Sequence, residues 1–156
     1  MAKGLISHGN VAQNRKARFN YAVHDTFDAG IVLTGSEVKS LRLGRCTLTE
    51  AFAQAHGSEL FLVNCHIPAY AGASHFQHEE TRKRKLLLKR KELDRLVASV
   101  SREGMTIVPL SIYFNDRGLA KVQLGLAKGK NHIDRRADIQ KRDWQREQGR
   151  LMRAKN

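Results

Sequence analysis

Residues 105–126 read MTIVPLSIYFNDRGLAKVQLGL, and the reading of this stretch decides the fold class. Residues 105–115 are apolar and rich in β-formers, as a strand packed on a core requires. Pro109 has no N–H for a ladder bond, so it marks an edge or a bulge. Asn115-Asp116-Arg117-Gly118 then turns the chain. Beyond the turn Val122, Leu124 and Leu126 alternate with Lys121, Gln123 and Gly125, the two-residue period of a half-buried strand.

Working outward, residues 82–91 hold seven basic side chains around Leu86-Leu87-Leu88. They lead into a helix in which Leu93, Leu96, Val97 and Val100 recur at i, i+3, i+4, i+7 and which Gly104 stops. Residues 50–55 and 59–67 read as two β runs joined by the short hairpin His56-Gly57-Ser58. Ser36 offers an N-cap to a short helix over 37–43, closed by Gly44. From Tyr21 the pattern is strand-like through Val23, Phe27, Ile31 and Leu33, with a bend or bulge expected at Asp28-Ala29-Gly30. Residues 68–80 read as a loop, and residues 1–13, polar and without period, as a mobile N-terminus. The body over 14–128 is therefore expected to be mainly β, with about six strands and two short helices packed on it.

After Leu126 the composition changes. Residues 129–156 contain nine Lys and Arg and four acids, a net +5 (9 minus 4), and residues 1–128 carry +8 (19 minus 11). Ala137, Trp144 and Leu151 lie seven apart, and Asp138 with Arg142 makes a favourable i, i+4 pair. That stripe is too thin to bury itself unaided, so the tail is predicted to be disordered alone and helical when docked.

A chain of 156 residues supports one compact domain, and 41% hydrophobic residues fit a globular one. Charge is the outlier. A net +13 attracts polyanions: nucleic acid, an anionic membrane or an acidic protein. No apolar run approaches the roughly 20 residues that span a bilayer, which argues against a membrane partner. Residues 1–11 have Lys3 but no apolar stretch or small-residue cleavage site, so no secretory signal is expected. Cys46 and Cys65 are too few for a disulfide framework and read as reduced cysteines of a cytoplasmic protein.

Signals for catalysis are weak. His75-Phe76-Gln77-His78, with Cys65-His66 upstream, superficially resembles a metal site, but zinc ligands favour shorter paired spacings. His75 or His78 with Glu79 could serve acid–base cleavage of a phosphodiester, yet nothing fixes such a pair. Gly125-Leu126-Ala127-Lys128-Gly129-Lys130 lacks the spacing and final hydroxyl residue of a phosphate loop. No metal, cofactor or catalytic residue is expected. The basic residues are more informative, because three clusters stand apart along the chain: Arg15-Lys16-Arg18, the 82–91 block and the tail. Each neutralised phosphate releases counterions, so a handful of contacts gives strong, salt-sensitive affinity. Aromatics are only 6% of the chain, which argues against base-by-base reading of single strands and for recognition of RNA shape. A nuclease and a ribosome-associated structural protein are the rival readings.

Five motifs in order carry a resemblance. Asn14-Arg15-Lys16-Ala17-Arg18, Phe27-Asp28-Ala29-Gly30-Ile31, Gly35-Ser36-Glu37-Val38-Lys39-Ser40-Leu41-Arg42, Arg84-Lys85-Leu86-Leu87-Leu88 and Gly125-Leu126-Ala127-Lys128-Gly129-Lys130 resemble the SsrA-binding protein family, from about Asn14 to the C-terminus. The resemblance implies an oligonucleotide-binding-fold-like antiparallel barrel. It also implies an adaptor that binds the tRNA-like domain of transfer-messenger RNA (tmRNA, or SsrA) and delivers it, with elongation factor Tu, to stalled ribosomes for trans-translation. Its tail would sense the empty mRNA channel at the small-subunit decoding region. No DNA partner is implied. By position Asn14, Asp28 and Leu87 match RNA-contacting residues of the family, Asp28 standing where Glu is usual. Arg15, Lys16, Arg18, Arg84, Lys85 and Lys128 complete the expected body site. In the tail Asp134-Arg135-Arg136 matches an Asp-Lys-Arg motif and Trp144 an aromatic position. Lys130, His132 and Ile133 complete that set, Ile133 standing where an aromatic or His is frequent.

Overall fold

The computed structural model describes residues 5–72, 77–129 and 132–154, with residues 132–135 and 154 as backbone only. The decisive stretch forms β6 (Thr106–Phe114) and β7 (Ala120–Gly129), paired antiparallel from Thr106↔Ala127 to Phe114↔Ala120. The turn between them closes on Asn115, whose Oδ1 accepts from the backbone N–H of Arg117 and Leu119 at 3.0 and 2.9 Å. Gly118 adopts φ +76° there, a conformation that costs glycine little. The ladder slips between Pro109 and Ser111, so the proline is accommodated as a bulge.

The other strands are β1 (Gly9–Gln13), β2 (Tyr21–Ile31), β3 (Phe52–His56), β4 (Glu59–Val63) and β5 (Arg84–Leu87). Antiparallel pairing runs β6–β3–β4–β5–β2–β7 and returns from β7 to β6, a closed circuit of six strands with β1 added beside β6. The β3–β6 seam is narrow, a single pair Ala53↔Ile107. Inside the circuit Ala29, Leu60, Leu62, Ile107, Ile112 and Leu124 are buried and form one core.

Among the described residues four helices accompany the strands: α1 (Arg15–Asn20), α2 (Gly35–Arg42), α3 (Arg90–Glu103) and α4 (His132–Ala154). Helix α2 begins two residues earlier than expected. Its cap is Thr34, which accepts from the Glu37 N–H while the Glu37 carboxylate accepts from the Thr34 N–H, a reciprocal capping box. Helix α3 ends on Gly104 at φ +64°, as its sequence predicts. Helix α1 packs outside the circuit, where Ala17 meets Val108, Leu110 and Ala127 in a second small core.

Two expectations are corrected. The anticipated bend at Asp28-Ala29-Gly30 is absent: β2 runs straight through, and its irregularity lies between Val23 and Asp25. Gly30 serves close approach instead, since a Cβ there would stand 3.2 Å from Leu87 Cβ. The N-terminal segment, expected to be mobile, forms β1 from Gly9 onward and pairs with residues 111–114 of β6. An edge strand with one neighbour needs little apolar period, and Arg42 clamps the residues before it. Its Nη1 donates to the Ile6 and Ser7 carbonyls at 2.7 and 3.0 Å, while the Ile6 N–H donates to the Arg42 carbonyl. The tail, expected to be disordered alone and helical when docked, has helical backbone over His132–Ala154. Among its described side chains Ile139, Trp144, Leu151 and Met152 are exposed, Trp144 by 64%.

Candidate nucleic-acid interface

Residues directly paired across a ladder point to the same face of a sheet. Leu87 pairs with Gly30, Gly30 with Lys121, Lys121 with Tyr113, and Tyr113 with Asn10. One step along, Asp28 pairs with Gln123, Gln123 with Ser111, and Ser111 with Gln13. These two rows form the outer face of the circuit, because the intervening Ala29, Val122 and Ile112 are fully buried within. Leu87 is 50% exposed on this face, an apolar side chain left in water by its own strand.

Helix α1 borders the same face. Arg15 and Arg18 line a depression of about 210 Å³ together with Ser111 and Gln123. The helix is fixed by Asn14, which is itself buried. Its Oδ1 caps the Ala17 N–H at 3.2 Å, and its Nδ2 donates to the Leu48 and Pro109 carbonyls at 3.1 and 3.0 Å. With both amide hydrogens committed, Asn14 acts by positioning α1 and its arginines. Lys16 projects to the other side of α1, over a groove it shares with Asn20, Tyr21 and Asn64.

Asp28 is exposed on the face and accepts a hydrogen bond from Tyr113. Burial pushes the Tyr113 phenol above its ordinary 10.0, and the Asp28 carboxylate raises it further by holding its proton and repelling the phenolate. Lys85, on the same side of β5 as Leu87, reaches back to Glu59 at 2.8 Å. Lys128 is exposed but lies at the far end of β7, near His24, Asp25 and Arg95. Ser111, Tyr113, Lys121 and Gln123 were not among the site residues expected from the sequence. Their signal was the polar half of an alternation read only for its buried half.

Arg84 does not belong to the interface. It is 0% exposed, and β5 turns Arg84 and Leu86 inward while Lys85 and Leu87 turn out. Its Nε donates to the Glu37 carboxylate, its Nη1 to the Cys65 carbonyl at 2.7 Å and its Nη2 to the Glu80 carbonyl at 3.2 Å. Burial pushes the Glu37 carboxyl up, but bonds from Arg82, the Thr34 backbone and Arg84 outweigh it and hold the group below the ordinary 4.5. This arginine is a structural cation whose charge is spent inside the fold.

His78 is also structural. It is buried between the Ser36 hydroxyl and the Ile67 carbonyl, each 2.8 Å away. Because a carbonyl only accepts, Nε2 carries the proton and Nδ1 accepts from Ser36. His75 and Lys130 lie outside the described residues, as do the side chains of His132, Ile133, Asp134 and Arg135. Arg136 and Trp144 are exposed on α4. Among the described residues no group of three or more His, Cys, Asp or Glu is arranged to hold a metal, and no helix is long and apolar enough to cross a membrane.

A closed antiparallel circuit with a polar, basic outer face and a basic helical tail defines a β protein built to meet a polyanion. The chain belongs to the SmpB protein family, whose profile matches residues 11–154. It is 57% identical over 145 residues to the SsrA-binding protein of Rhodopseudomonas palustris (strain TIE-1), covering 93% of this chain and 92% of the relative. The SsrA-binding protein of Acidiphilium cryptum (strain JF-5) is 55% identical over 149 residues, with 96% and 94% covered. Among solved structures, a chain from "tmRNA-SmpB: a journey to the center of the bacterial ribosome" superposes with a TM-score of 0.65. It is 50% identical, over 78% of this chain and 85% of that one.

Proposed function

We propose that this protein is an RNA-binding adaptor that holds the tRNA-like domain of tmRNA on its outer barrel face and delivers it to stalled ribosomes. One observation carries the reading. A single exposed face brings Asp28 and Leu87, 59 positions apart in sequence (87 minus 28), together with the arginines of α1. Arg15, Arg18 and Lys121 supply the attraction for phosphates, which alone is blind to sequence and shape. Asp28 accepts from base or sugar donors, and Leu87 offers an apolar contact to an unstacked base or ribose. The SsrA-binding relatives give that RNA its name.

The tail performs a second task. Helix α4 presents Arg136 and Trp144 to solvent, and a cationic helix with an exposed aromatic fits an RNA-lined channel. It reads the empty mRNA channel near the decoding region, with elongation factor Tu joining through the RNA complex in the cytoplasm. The adaptor works by binding, and the ribosome performs the chemistry. A reconstituted tagging reaction tests this division. A chain ending at residue 129 should bind tmRNA as the full chain does and tag no peptide. Loss of both functions together would overturn it.

A further inference from the structure

Cys46 and Cys65 are separated by 18 residues of sequence (65 minus 46, less one), yet their sulfurs lie 3.6 Å apart. The fold brings them together on purpose-built supports. The chain leaving α2 pairs with the chain leaving β4 through an isolated bridge, Thr47 N–H to the His66 carbonyl at 2.9 Å and His66 N–H to the Thr47 carbonyl at 3.1 Å. Cys65 is fully buried and Cys46 half-buried at the edge of the core. The Cys65 carbonyl is further pinned by Arg84 Nη1 at 2.7 Å.

We propose that Cys46 and Cys65 form an oxidation site, closing reversibly into an intramolecular disulfide when the protein meets a hydroperoxide. Sulfurs in van der Waals contact need to approach by about 1.5 Å to reach a bond length near 2.05 Å. Both belong to segments outside the regular strands, where such a shift is absorbed. The pair shares a proton. The hydrogen bond to Cys65, with burial, pushes the Cys46 thiol far up, and the same bond pulls the Cys65 thiol down against its own burial, helped by the Arg84 charge. One thiolate is thereby available to the pair.

The chemistry balances. The Cys65 thiolate attacks an oxygen of hydrogen peroxide, becomes a sulfenic acid and releases hydroxide. The Cys46 thiol then attacks that sulfur, the S–S bond forms and water leaves. Two electrons pass from the two sulfurs to the peroxide, and two sulfur-bound protons are removed in all. A dithiol restores the pair by exchange. The link would tie the exit of α2 to the end of β4, beside the Arg84–Glu37 pair and on the inner side of β5, leaving Leu87 and Asp28 on the opposite face.

The test treats the reduced full-length chain with hydrogen peroxide, blocks remaining thiols with iodoacetamide and reads intact mass and peptide map. The expected product is a monomer that has lost two hydrogens, carries no alkyl group, yields one peptide pair joined through Cys46 and Cys65, and returns to two free thiols with dithiothreitol. Cys46→Ser, which leaves the buried sulfur in place, should give no internal link. Two alkylated thiols after treatment, a dimer joined through Cys46, or Cys46 carried on to sulfinic acid with Cys65 still free would each overturn the proposal.

Discussion

Arg84 and Glu37 form an ion pair in which neither side chain meets solvent, both being 0% exposed. The pair joins the N-terminal cap of α2 to the inner side of β5, and Arg82 adds a second cation at 2.6 Å from the same carboxylate. A buried pair gains little over a well-packed apolar one, but removing one partner strands a charge in the core. Arg84→Ala should therefore destabilise the fold by about 3–5 kcal/mol, read from denaturant unfolding. Lys16→Ala, at an exposed position on α1, should leave stability within about 0.5 kcal/mol. If Arg84→Ala unfolds like the parent chain and loses only RNA affinity, the structural assignment is wrong.

Glu37 also sets a pH dependence. Its carboxyl is held below the ordinary 4.5 in the folded chain, so the native state favours the ionised form. A depressed folded value contributes stability that is full above the unfolded value and is lost as pH falls through the folded one. Acid unfolding should steepen below about pH 4.5, and Glu37→Gln, already less stable at neutral pH, should show a shallower decline there. Equal slopes in the two proteins would contradict this.

Asp28 and Tyr113 can be tested by titration. The Asp28 carboxylate raises the Tyr113 phenol above 10.0 through its hydrogen bond and its charge. Asp28→Asn removes the charge, so the ultraviolet titration of one of the three tyrosines should move to lower pH. An unmoved curve would mean that the two groups are not in contact.

Leu87 separates binding from stability. Half of its surface is already wet, so Leu87→Ala should cost the fold about 1 kcal/mol or less. If the side chain meets RNA, the same change should weaken binding by about 1–2 kcal/mol, measured by gel shift or fluorescence anisotropy. A loss of stability without loss of affinity would return Leu87 to a packing role.

Much of the fold was legible because it rests on local signals. Alternation at Val122, Leu124 and Leu126 and the Asn115–Gly118 turn placed β6 and β7, and Gly104 placed the end of α3. What stayed hidden depends on partners distant in sequence. Gly9–Gln13 has no period of its own and becomes a strand because β6 offers it an edge. At the interface, Asp28 and Leu87 were named by resemblance, and register alone brings them to one face. Arg84 misled because composition counts a charge without saying which way it points. The period-two reading of Arg84-Lys85-Leu86-Leu87 would have turned it inward, and the six other basic residues around it obscured that signal.

The central claim is that the outer face recognises one RNA fold, and binding across a salt series tests it most directly. The full chain should hold the tRNA-like domain of tmRNA more tightly than bulk RNA of equal length, and the preference should persist as salt rises and weakens both. Arg15→Ala and Arg18→Ala should each lower the slope of log affinity against log salt by roughly one. Equal affinity for the two RNAs at every salt concentration would contradict the account, leaving only a basic protein attracted to any polyanion.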